Sequence, residues 1–138
     1  MDIGTIRLLF DFGLLILIWH VQILIYPSFS YYKAEGLRQW HKKYVLRITY
    51  IVMPLMIGQL SLAIVQSFHK LGSYEIGSLT IISIIWLSTF LQFVPMHSKI
   101  SFGDTDHQML STLIRKNWLR TVLLSIMFTW SFIHLCLQ

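Results

Sequence analysis

Charge is what this chain has least of. Asp, Glu, Lys and Arg make up 12% of its 138 residues, where a soluble domain carries about 25% to cover its surface. Apolar residues reach 55% and mean hydropathy is +0.63, more than a water-facing fold of this size can hide, so lipid is the second solvent. Cysteine is nearly missing: Cys136 stands alone, which excludes an internal disulfide and any Cys-x-x-Cys zinc or redox motif. Also missing are the helical ligand spacings HxxxH, ExxH and HExxH, the GxSxG turn, a glycine-rich phosphate loop, internal repeats and low-complexity tracts. Nucleotide binding and serine-type nucleophilic catalysis therefore have no support. The formal charge of +5 does not point to nucleic acid, because the basic residues sit beside apolar runs instead of forming one polar face.

What is present is four apolar runs, at about residues 6–26, 46–66, 76–94 and 118–137. Each is close to the ~20 residues that cross a bilayer as a helix. The sequence thus predicts an all-α, four-transmembrane-helix bundle in a single domain, residues 1–138. The first run is too long for a signal-peptide core and no small-x-small cleavage site follows it, so it reads as a retained anchor. Pro27 and Pro95 are expected to end the first and third spans, since the residue before proline resists helical angles. Pro54 falls inside the second and is expected to kink it. The aromatic and basic stretch after span one suits the headgroup layer, as an interfacial helix running into span two. No Gly or Pro follows Asp104, so the last helix is expected to start near Asp104 to Asp106 and to project beyond the hydrocarbon.

The connections decide orientation. Lys and Arg number nine on the side shared by connections one and three, against two on the side of the termini and connection two. Positive residues stay cytoplasmic, so the expectation is a multi-pass protein of the cytoplasmic (bacterial inner) membrane with both termini outside.

Polar residues near the inner ends of the spans are the candidate ligand-binding set: His20, Arg47, Gln92, His97, Asn117 and Arg120. Polar groups within hydrocarbon are costly and mark functional positions. The plainer reading of Arg47, His97 and Arg120 is that they snorkel to the interface. His20, His41 and His97, with Glu35 or Asp104, are weak candidates for a metal, and one histidine from each of spans one and three would serve a haem. Asp11 and Gln22 fall on one face of span one and His20 on roughly the other; Asp11, near the outer end, has headgroups or water within reach. Asp11, Gln59 and His134 are a lesser candidate for an outward proton or ion path. Asn117, Thr121, Ser125 and Thr129 form a polar stripe on span four, read as close helix packing with interhelical hydrogen bonds.

Two patches carry a resemblance. WHVQILIYPSF (19–29) with YIVMPLM (50–56), and QFVPMH (92–97) with KNWLRT (116–121), resemble a family of small uncharacterised bacterial four-helix membrane proteins. More remotely the layout is similar to the anthrone-oxygenase-like membrane proteins, whose Asn-x-x-Arg at the start of the last helix is matched by Asn117 and Arg120. The resemblance implies the four-helix fold and a site near those residues, with no catalytic role for any of them. Three function classes follow. One is a binding or enzymatic site for a lipophilic acidic molecule at the inner leaflet; the second is an accessory subunit docking a membrane-protein partner; the third is a haem- or metal-carrying electron-transfer subunit. Membrane lipids are expected partners throughout.

Overall fold

The computed structural model describes residues 2–137. It is helical, without a strand among the described residues: α1 (Ile3–His20), a π-helical turn (Val21–Ile25), α2 (Tyr26–Ser28), a 3-10 turn (Phe29–Tyr31), α3 (Ala34–His69), α4 (Ser73–Ser88), a second π-helical turn (Thr89–Phe93), α5 (Val94–Ser101) and α6 (His107–Cys136). These join into four rods long and apolar enough to cross a membrane, Ile3–Tyr31, Ala34–His69, Ser73–Ser101 and His107–Cys136, the architecture of a multi-pass membrane protein. Span one packs on spans two and four, and span three on the same two, so the rods form a four-membered ring. Outward positions are apolar, among them Leu9, Ile16, Ile23, Leu46 and Leu119, as a lipid-facing surface requires.

Two boundaries differ from the sequence expectation for one physical reason. Pro27 and Pro95 do not end their helices; the chain continues helically to Tyr31 and to Ser101. Proline has no N–H and its ring strikes the carbonyl four residues back. Just before each proline the hydrogen-bond register slips by one: the Tyr26 N–H donates to the Val21 carbonyl and the Val94 N–H to the Thr89 carbonyl. These wider turns accommodate the prolines, and π-turns of this kind recur at functional sites. Span two starts twelve residues before its apolar run, at Ala34, and passes Pro54 without interruption. The last helix begins at His107 with Asp106 as its N-cap residue. At the other end of the chain Asp2 caps α1, and the backbone N–H of Thr5 donating to it holds its carboxyl below the usual range.

Close approach between rods rests on small residues, as in other membrane bundles. A Cβ on Gly58 would overlap the Phe10 ring of span one, and one on Gly77 would overlap the Trp130 ring of span four. Gly58→Ala is therefore expected to lower stability by about 1–3 kcal/mol through overpacking. Thermal unfolding in detergent checks this, and Phe10→Leu in the same chain should recover part of the loss.

At the end of the bundle that holds the termini, Arg7 and Asp11 are 0% and 1% exposed. The Arg7 Nε donates to Asp11 Oδ1 (3.3 Å), its other nitrogens to Gln66 Oε1 (3.1 Å) and Met127 Sδ (3.6 Å). Asp11 also accepts from Gln59 Nε2 (2.6 Å) and Ser131 Oγ (2.5 Å), and Ser131 bonds the Tyr74 hydroxyl. His134 stacks on Tyr74, with Nε2 3.9 Å from Glu75 Oε1. Asp11 thus faces inward, not toward headgroups. Arg7 is no interfacial cation but half of a buried ion pair that ties all four spans. Asp11, Gln59 and His134 belong to this lock.

Candidate functional site

The opposite end, which carries the basic connections, is built differently. Gln22, in the first π-turn, is 3% exposed; it accepts from Asn117 Nδ2 (2.8 Å) and Thr121 Oγ1 (3.4 Å) and donates to the Ile114 carbonyl (3.3 Å). Span one is thereby fixed to the start of the transmembrane part of span four. One helical turn on, Arg120 is 8% exposed. Its guanidinium lies 4.4 Å over the Phe93 ring, with Nη1 3.5 Å from Asn117 Oδ1 and the Tyr26 hydroxyl as a further interacting neighbour. Nε has no hydrogen-bond partner, and among the described residues no carboxylate forms an ion pair with it. Arg120 therefore does not snorkel. It is a buried cation held by a ring face and an amide, with its Nε left unpaired.

Beside it runs a chain of hydrogen bonds across three spans. Ser101 Oγ contacts His41 Nδ1 (2.8 Å), His41 Nε2 contacts His97 Nδ1 (2.8 Å), and His97 Nε2 contacts the Tyr26 hydroxyl (2.9 Å). The two imidazoles stack with centroids 5.0 Å apart, and Phe29, Tyr44 and Phe93 close around them.

Both groups open onto one cavity of about 490 Å³, within the usual range for a small-molecule site. Its polar end is made by Tyr26, Tyr44, His97, Ser101 and Arg120, and its apolar end by Leu14, Ile18, Met56, Ile85 and Leu124. Twelve residues separate Leu14 from Tyr26, about 18 Å of helix at 1.5 Å per residue. The exposed lining residues are Thr49 on span two and Phe90, Val94 and Ser98 on span three, so the mouth is lateral, between those spans.

No family model, curated protein or solved structure matches this chain.

Of the six candidate ligand-binding residues, His97 and Arg120 line the cavity, and Asn117 is fully buried behind Arg120. His20 and Arg47 are exposed and lie outside it, and Gln92 is half-buried in the second π-turn and does not line it. The metal candidates are not brought together: His20 points out, Glu35 is held by Arg38 and Gln39 at the start of α3, and Asp104 is exposed. His41 and His97 do meet, but with their nitrogens turned on one another. Among the described residues no group of three or more His, Cys, Asp or Glu is placed to hold a metal ion. Three of the four stripe residues on span four do bond span one: Asn117 and Thr121 bond Gln22 and Ser125 accepts from the Trp19 indole (3.1 Å), while Thr129 is exposed and donates one turn back to Ser125. Tyr26 and Tyr44 were missing from the sequence candidates. Tyrosine beside a span ordinarily marks the headgroup belt, and only their burial, 3% and 7% exposed, distinguishes them.

Proposed function

We propose that this is a protein of the cytoplasmic membrane, with both termini outside, that binds a single-tailed lipophilic acid at the inner leaflet. The observation that carries the reading is Arg120, a buried guanidinium lining the cavity with no carboxylate partner among the described residues. A charge removed from water without a counter-ion costs several kcal/mol, and a fold keeps such a group where a ligand supplies the opposite charge. Arginine's planar fork matches a carboxylate or phosphate. The apolar channel running away from it suits a hydrocarbon tail, and the lateral mouth lies where a lipid-borne ligand arrives without leaving the bilayer. Orientation is supported by the cations: with Arg7 and Arg120 withdrawn into the bundle, eight remain on the side of connections one and three and one on the other. The resemblance to the small bacterial four-helix family belongs with this reading, since its QFVPMH and KNWLRT patches contribute His97, Asn117 and Arg120.

Native mass spectrometry of protein released gently from its membrane tests the proposal. The native chain is expected to retain an acidic lipid at near-stoichiometric level, and Arg120→Ala to lose it with helical content unchanged by circular dichroism. Retention by Arg120→Ala at the native level would sink the reading.

A further inference from the structure

The chain Ser101–His41–His97–Tyr26 does more than join three helices. We propose that it is a proton relay ending at the head group held by Arg120, so that the ligand is a lipophile whose head oxygen (carboxylic, phenolic or enolic) gains and loses a proton in the cavity. The inference rests on the cavity being a binding site, as proposed above.

Three contacts of 2.8, 2.8 and 2.9 Å link four amphoteric groups without a gap. A neutral imidazole has one donor and one acceptor nitrogen, and here every ring nitrogen is engaged, so the four groups share one direction of donation. In one arrangement Ser101 donates to His41, His41 Nε2 to His97 Nδ1, and His97 Nε2 to Tyr26, whose own proton points into the cavity. When a bound anionic head takes that proton, Tyr26 takes the one on His97 Nε2. His97 then takes the one on His41 Nε2, His41 the one on Ser101, and Ser101 one from water. Only O–H and N–H bonds form and break, one proton passes from water to the head, and the chain is left in its mirror arrangement, poised to run backward.

The surroundings favour transfer over storage of charge. Among the described residues no carboxylate pairs with either imidazole. The groups packed on them are Phe29 and Tyr26 from span one, Tyr44 from span two and Phe93 from span three. Span four contributes Arg120, which lines the same cavity as His97, and a neighbouring cation disfavours a second positive charge. Tyr26, His97 and Ser101 line the cavity, so both ends of the relay meet its polar end, while His41 stands behind them, fully buried and outside the lining. That placement suits a link, not a ligand contact.

The test uses the full chain in detergent and a 4-nitrophenol carrying an octyl tail, whose phenolate absorbance reports its protonation. After a downward pH jump in a stopped-flow instrument, the bound phenolate should be protonated rapidly in the native chain. In His41→Ala the rate should fall about 100-fold, the scale of a positioned proton donor, with affinity within about twofold because His41 does not touch the probe. Added imidazole should restore the rate, which a helix clip would not permit. Tyr26→Phe keeps the ring and should slow the same step should His41→Ala fail to fold. Native-like rates in both variants, or in Tyr26→Phe alone where His41→Ala does not fold, overturn the relay and leave the Arg120 site standing. A probe that binds Arg120→Ala as tightly as the native chain, or does not bind the native chain, overturns the site and the relay together.

Discussion

Asp11→Ala is expected to destabilise the bundle by about 3–5 kcal/mol, the cost of breaking a buried ion pair by removing one partner. The loss is large because Asp11 is the acceptor for three spans at once: Arg7 on its own helix, Gln59 on span two and Ser131 on span four. Its removal leaves a guanidinium that is 0% exposed with only Gln66 and Met127 as partners. Two donors besides lose their acceptor, and each buried unsatisfied group costs about 1–3 kcal/mol. Denaturation in mixed detergent measures the effect. The double change Arg7→Met with Asp11→Leu should recover most of the loss, because apolar groups of similar volume replace buried ion pairs at little cost. A single-variant loss below about 1 kcal/mol, the scale of an exposed pair, would show that water or headgroups reach Asp11.

The second buried arginine should behave in the opposite way. Arg120→Met in ligand-free protein is expected to leave stability unchanged or raise it, since it removes a charge that no carboxylate balances. The same substitution should weaken an anionic amphiphile by about 2–5 kcal/mol, as when one partner of a buried hydrogen-bonded charge pair is cut away. That is roughly 30-fold at the least. Such a division, stability gained where binding is lost, is the signature of a residue kept for function. Chemical denaturation of stripped protein and equilibrium titration read the two halves separately. A large loss of stability in Arg120→Met without ligand would make this arginine a structural strut like Arg7.

The difference between the two arginines also explains how far the sequence could be read. Four spans were legible because hydrocarbon imposes a length and an apolar composition that few other constraints imitate. The ends that carry the basic connections were not. Pro27 and Pro95 read as stops, and a one-residue slip of register turned both into ordinary helix positions. Arg7 reads with the cations at the chain's start and Arg120 as a snorkelling cation; what draws both inward is tertiary. For Arg7 a local signal existed, the i,i+4 spacing to Asp11. For Arg120 the decisive fact is a missing partner, which no spacing reveals. The relay is the extreme case. His97 lies 56 positions from His41 and 71 from Tyr26, so they meet only through the ring of four spans. His41 and His97 were legible as weak metal candidates, His97 also as a candidate ligand-binding residue, and tyrosine beside a span reads as headgroup belt. Face periodicity in span one did carry through, with Asp11 and Gln22 inward and His20 outward.

The claim on which the rest depends is that the cavity recognises a negative head on an apolar tail. Thermal unfolding of the purified, delipidated chain with a long-chain fatty acid, and separately with the methyl ester of that acid, tests it most directly. The acid should raise the midpoint in a saturable, concentration-dependent manner, the ester should leave it unmoved, and Arg120→Met should remove the response to the acid. Equal stabilisation by acid and ester would mean that the guanidinium reads no charge, and would contradict the account.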